Sequence, residues 1–333
     1  MSNANRPPQH VRSTTAGHTD AVAKVHREPI DAAAIMKVKH LHLRARIVVE
    51  GFFNGLHRSP FHGFSAEFSE YRQYAAGDDT RFVDWRLYAR SDRYYIKRFE
   101  DETNRRCYLV VDQSRSMTYG TVGYTKAEYA ATLAATFAYY LTLQRDCVGL
   151  LTFDEAIRDF LPARHRPGHL KRLWGMLDRP ATGQSTQIGS ALEEIASLVK
   201  KRGLIVLVSD FLAPMESLAK PLGYLRSRGH EVVAMRLLDP REVDLDFDEA
   251  AIFRDLESGQ PLFVEPDVAR GDYQLKFERH RRELSDVCTS LGIGLHTFLT
   301  NEPFDAALYQ WLVQQVRQPG SGAGFRRGSA GAR

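Results

Sequence analysis

The sequence predicts an α/β protein, a doubly wound, mostly parallel sheet with an accessory block on its amino-terminal side. Short unbroken apolar runs, such as CYLVV from Cys107 and LIVLV from Leu204, alternate with longer segments whose apolar residues recur at helical spacing. Strands that read as continuous apolar runs are buried on both faces, which requires helices above and below a parallel sheet. The 333 residues are 43% hydrophobic and 26% charged, ample for such a core and too apolar for a largely disordered chain.

Residues 1–28 are polar with scattered Pro, Gly and Thr, and read as a flexible arm. Residues 29–105 form the accessory block, which opens with a helix over 31–49. There Asp31 offers a cap and Ile35, Val38, Leu41 and Ala45 fall three and four apart. Residues 106–317 are the α/β domain. Its first strand, 107–111, ends at Asp112 in the polar loop DQSRSMTYG, and a helix follows over 126–143. Strands are then expected at 146–153, 203–210, 230–238 and 293–299, and helices at 169–177, 188–199, 215–227, 273–291 and 304–316. Residues 318–333 are a Gly, Ser and Arg tail.

Several function classes are disfavoured. The net charge of +4 is too small to advertise a polyanion-binding surface, so nucleic acid is not expected as a partner. Three widely spaced cysteines fit neither a disulfide framework nor a thiolate metal site. No stretch approaches the roughly 20 apolar residues of a membrane span, and the amino terminus lacks a signal-peptide core, so a cytoplasmic protein is expected. There is no GxxxxGK[ST] phosphate loop, no GxSxG and no HExxH.

What remains is a set of hard oxygen donors at strand and helix ends: Asp112, Ser114 and Ser116 in DQSRS, Thr186 in TGQSTQIGS, and Asp210 in VLVSDF. In doubly wound sheets ligands bind at the carboxyl ends of the strands, near a topological switch point. A small hard dication takes about six oxygens, and Mg2+ usually keeps waters and only one or two carboxylates. Three hydroxyls and two water-bridging carboxylates would meet that demand and leave one position open. Mg2+ is therefore the expected cofactor, with Mn2+ as the alternative. Gly183 and Gly189 flank Thr186 and allow its loop to come close.

On these residues the segment from about Arg106 to Arg317 resembles the von Willebrand factor type A fold, whose metal-ion-dependent adhesion site joins a DxSxS loop, a Thr and an Asp. The resemblance implies that Ser114 and Ser116 ligate the ion directly, Thr186 directly or through water, and Asp112 and Asp210 mostly through water. It also implies that an acidic side chain of a partner or client protein fills the open position. The third loop of that family normally reads Asp-Gly, whereas this chain has Asp210-Phe211.

A second pattern, GxHxSxxxGxSxEF from Gly55 followed by YRQYAAGDDTRFVDWRLYARSD from Tyr71, resembles the bacterial family called domain of unknown function 58 (DUF 58). Its members resemble accessory proteins that work beside MoxR-type AAA+ ATPases in chaperone-like activation of protein complexes. Many carry amino-terminal membrane helices; none is expected from this sequence. Within the pattern Asp78, Asp79 and Asp84 lie among Arg72, Arg81, Arg86 and Arg90, with Phe82 and Trp85 as apolar anchors. Guanidinium–carboxylate pairs of this kind brace elements against each other. The other reading is a docking face built from Arg81, Asp84, Trp85, Arg86 and Arg90.

Together these features predict a non-enzymatic, metal-dependent protein-interaction module. Two other functions use the same residues: a metal-assisted hydrolase, which turnover of a phosphoester or peptide would reveal, and an RNA-particle component, which steeply salt-dependent RNA binding would reveal.

Overall fold

A computed structural model describes residues 31–57, 71–73, 95–97, 105–181, 188–245, 251–254, 261–264 and 266–317. The chain opens with helices α1 (Ala32–Met36) and α2 (Leu41–His57), then the strand pair β1 (Tyr71–Gln73) and β2 (Tyr95–Lys97). The α/β portion runs β3 (Arg106–Asp112), α3 (Lys126–Leu143), β4 (Cys147–Phe153), β5 (Ile157–Arg164), α4 (His169–Leu177) and α5 (Ile188–Leu198). It continues through β6 (Leu204–Ser209), α6 (Met215–Ser227), β7 (Glu231–Leu238) and α7 (Pro240–Asp244). A second strand pair, β8 (Ala251–Arg254) and β9 (Pro261–Val264), precedes α8 (Pro266–Ser290), β10 (Gly294–Leu299) and α9 (Phe304–Arg317).

Six strands form the main sheet in the order β10-β7-β6-β3-β4-β5. All neighbours are parallel except β4 and β5. The α/β class is therefore as the sequence predicts, with one antiparallel edge. Strand alternation divides the core into two layers. Cys107, Leu109 and Val111 of β3 face the cluster built with α2, α3 and α4, while Tyr108 and Val110 face the one built with α5, α6 and α8. The accessory helices belong to the first layer, where Ala45, Val48, Val49 and Phe52 of α2 are fully buried with Leu133 and Phe137 of α3.

Several elements differ from the sequence expectation. The single helix over 31–49 is two, broken at residues 37–40. The Arg44 guanidinium accounts for the break: its Nε donates to the Val38 carbonyl at 2.6 Å and its Nη2 to the Met36 carbonyl at 3.0 Å, replacing helical partners. Strand β5 was not expected because its half-exposed edge carries Arg158, Asp159 and Pro162, a composition tolerated only at a sheet edge. The β1–β2 and β8–β9 pairs and α7 were likewise unforeseen, and α8 starts at Pro266 rather than residue 273, with proline in its first turn.

No helix among the described residues is long and apolar enough to cross a membrane. Cys107 and Cys288 are buried and Cys147 is half-buried; burial pushes the Cys288 thiol up to about 11, so it is inert rather than reactive.

Candidate cation and partner-binding site

β3 lies between β4 and β6, and its chain neighbour changes side at the β3–β6 boundary. That boundary is the switch point of the sheet, the place at which doubly wound folds bind ligands. Val111 is in register with Val208, so Asp112 and Ser209 end their strands side by side. Asp112 is fully buried. Its Oδ1 accepts from the Ser114 backbone N–H at 2.8 Å and its Oδ2 from the Ser209 hydroxyl at 2.6 Å. Ser114 then enters a short turn, Arg115–Thr118, which brings Ser116 back over it. The two hydroxyl oxygens are 3.2 Å apart. The Ser116 side chain also lies close enough to the Asp210 carboxylate to favour its charged form.

Asp210 follows β6 and is almost fully buried. Its Oδ1 accepts from the Leu212 N–H at 3.1 Å, which fixes the turn. Phe211 takes the left-handed conformation, φ 52°, at the place where the type A family has glycine. A side chain there costs about 1–2 kcal/mol. Burial of the Phe211 ring, 1% exposed, offsets it, and the Ser209 hydroxyl accepts from the Phe211 N–H at 3.1 Å.

The cluster contains a cation of its own. Lys126, the first residue of α3, is fully buried, and its Nζ donates to Asp210 Oδ2 at 2.8 Å and to Glu242 Oε1 at 2.5 Å. Glu242 belongs to α7, where its other oxygen accepts from the Asp239 N–H at 2.8 Å. Asp239 in turn accepts from Thr121, from its N–H at 2.7 Å and its hydroxyl at 2.6 Å, tying the β3–α3 loop to α7. Below them Arg236 of β7 is also fully buried. Its Nε donates to the Asp210 carbonyl at 3.1 Å and its guanidinium lies 5.2 Å over the Phe277 ring.

Charge and burial pull the two aspartates apart. Burial, and then the charge of neighbouring Asp210, raise the Asp112 carboxyl above its ordinary value. Burial opposes ionisation of Asp210 as well, but the Lys126 ammonium overrides it and holds that carboxyl below its ordinary value. Asp210 and Lys126 thus form a buried ion pair extended to Glu242.

The donor chemistry fits a small hard cation. Neighbouring ligands of an octahedral Mg2+ at 2.0–2.1 Å stand about 3 Å apart, close to the Ser114–Ser116 hydroxyl separation. Among the described residues no three His, Cys, Asp or Glu side chains are grouped to hold a metal. Of the sequence-expected ligands, Asp112, Ser114, Ser116 and Asp210 come together here. Thr186 lies outside the described residues, as do Arg81, Asp84, Trp85, Arg86 and Arg90 of the candidate docking face.

Lys126, Ser209, Arg236, Asp239 and Glu242 were missed. Two of them left a trace. A lysine opening a helix whose one other charge is Glu128 sits at the end that disfavours cations, and an arginine within the apolar run EVVAMRLL is an equal anomaly. Each needed buried partners.

Fold and site together define a doubly wound α/β protein with a hydroxyl–carboxylate cluster at its switch point. The chain belongs to the family described as protein of unknown function DUF58, whose profile matches residues 70–283. It is 28% identical over 296 residues to an uncharacterised protein of Mycobacterium tuberculosis, covering 87% of this chain and 91% of that one. Among solved structures it is similar to the conserved hypothetical protein BatB from Bacteroides thetaiotaomicron, at 15% identity and TM-score 0.45, over 64% of this chain and 99% of that one. It is also similar to the VWA domain of SpRpn10, at 14% identity and TM-score 0.37, over 66% and 98%.

Proposed function

We propose that this chain is a non-catalytic, cytoplasmic protein-interaction module that grips an acidic side chain of a partner or client through a divalent cation. Mg2+ is the first choice and Mn2+ the second, and a MoxR-type AAA+ ATPase is the proposed partner supplying ATP-driven motion. The observation that carries this reading is the meeting of Asp112, Ser114, Ser116 and Asp210 at the switch point, with the two serine hydroxyls 3.2 Å apart. Ser114, Ser116 and Thr186 would hold the ion, and Asp112 and Asp210 would hold its waters. When bound, the ion supplies a Lewis-acidic position for a carboxylate.

The protein's part is orientation. Ser209 and the Ser114 N–H fix both oxygens of Asp112, and Thr121–Asp239 fixes the loop. Both aspartates are engaged by protein donors, which suits them to positioning rather than to taking a proton from water, so binding is favoured over hydrolysis.

Affinity purification from the native host, with and without chelator, tests the reading. Wild type should retain the ATPase and client only without chelator, and Ser114→Ala, folded normally, should lose the client in both conditions. Equal recovery in all arms would overturn it, and turnover of a phosphoester by the pure protein would favour the hydrolase.

A further inference from the structure

We infer that Lys126 is a tethered counter-cation that weakens the site's own hold on a dication. This rests on the metal-binding reading above and adds to it a residue that sets affinity. The ammonium is 2.8 Å from Asp210 and 2.5 Å from Glu242, with its side chain 0% exposed, so no solvent screens it from a cation beside Asp210. Its position is fixed from both ends. The Thr125–Glu128 capping box pins the start of α3, and the Lys126 N–H bonds to the Tyr119 carbonyl at 2.9 Å. The lysine therefore cannot swing to water without unwinding the helix start.

Two consequences follow. The ammonium answers the Asp210 charge when no metal is present, so the site does not need an ion to fold. An arriving dication meets a carboxylate whose charge is already answered, and like charge opposes it. The ion alone is then held weakly, and tight retention needs an added negative charge, the carboxylate of the bound protein. Ion and acidic partner become thermodynamically linked, each raising the affinity for the other.

The test is calorimetric titration of Mg2+, and separately of Mn2+, into the wild-type chain and into Lys126→Met, Lys126→Arg and Glu242→Gln, with circular dichroism to confirm folding. Lys126→Met should bind the dication about tenfold tighter or more, because an unanswered Asp210 now faces it. Lys126→Arg should stay near wild type. Glu242→Gln, which removes a negative charge but spares the lysine, should bind several-fold more weakly, so it decides the matter if Lys126→Met fails to fold. Unchanged affinities in folded Lys126→Met, or in Glu242→Gln where the former does not fold, would overturn the inference while leaving the metal site standing. Absence of binding in every protein would overturn both.

Discussion

Two ion clusters in this protein each join three charged side chains, in opposite proportion, and differ in nearly everything else. On α8, Glu278 bonds Arg281 and Arg282, three and four residues on, in the open face of one helix. At the switch point, Lys126 bonds Asp210 and Glu242, 84 and 116 residues away, with its side chain 0% exposed. The first is written in local spacing and is screened by water and salt. The second exists only once α3, β6 and α7 have assembled, and its charges have nowhere else to go. Proximity in sequence marks the cluster that matters least; burial marks the one that shapes the site.

Removing one partner exposes that difference most sharply. Lys126→Met strands Asp210 and Glu242 and should lower unfolding stability by about 3–5 kcal/mol in denaturant titration. A loss under about 1 kcal/mol would show that the pair is solvated after all. Phe211→Gly, next to the same cluster, relieves a left-handed side chain worth about 1–2 kcal/mol but deletes a buried ring worth about 3–5, for a net loss of about 2 kcal/mol. A stabilised Phe211→Gly would mean that backbone strain outweighs packing.

Smaller effects come from the half-exposed and exposed charges. Burial raises the Asp146 carboxyl to about 6 against an ordinary 3.8, with Arg105 and His165 acting in the other direction. Between these values the folded protein binds more protons than the unfolded chain, so this residue's contribution to stability falls as pH rises from about 4 to 6. The difference in melting temperature between wild type and Asp146→Asn should change in wild type's disfavour across that interval and be flat above it. Least of all, Glu278→Gln on the surface cluster should leave the unfolding midpoint unchanged within error at moderate salt, although Arg281 and Arg282 draw the Glu278 carboxyl down to about 2. A clear drop would give the exposed network a weight that screening should deny it.

The same contrast explains what could be read in advance. β3, β6 and β7 were legible because strands buried on both faces leave an unbroken apolar signature, and α3 and α6 because they are helix-length segments alternating with such strands. Asp112, Ser114 and Ser116 were legible as a loop motif, and Asp210 as a polar end to an apolar strand. β5 was obscured by Arg158, Asp159 and Pro162, since an edge strand tolerates what a central one forbids. The break before α2 depends on Arg44 reaching back to Met36 and Val38, which no propensity encodes. Lys126 and Glu242 were invisible as a pair because only the folded sheet brings them together.

One measurement reaches the central claim directly: Mn2+ titration of the purified chain followed by electron paramagnetic resonance, for wild type and for the Ser114→Ala, Ser116→Ala double variant. The account predicts one saturable bound Mn2+ per wild-type chain, displaced by Mg2+, and none in the folded double variant. Equal Mn2+ binding by the two proteins, or none by wild type at millimolar ion, would contradict it.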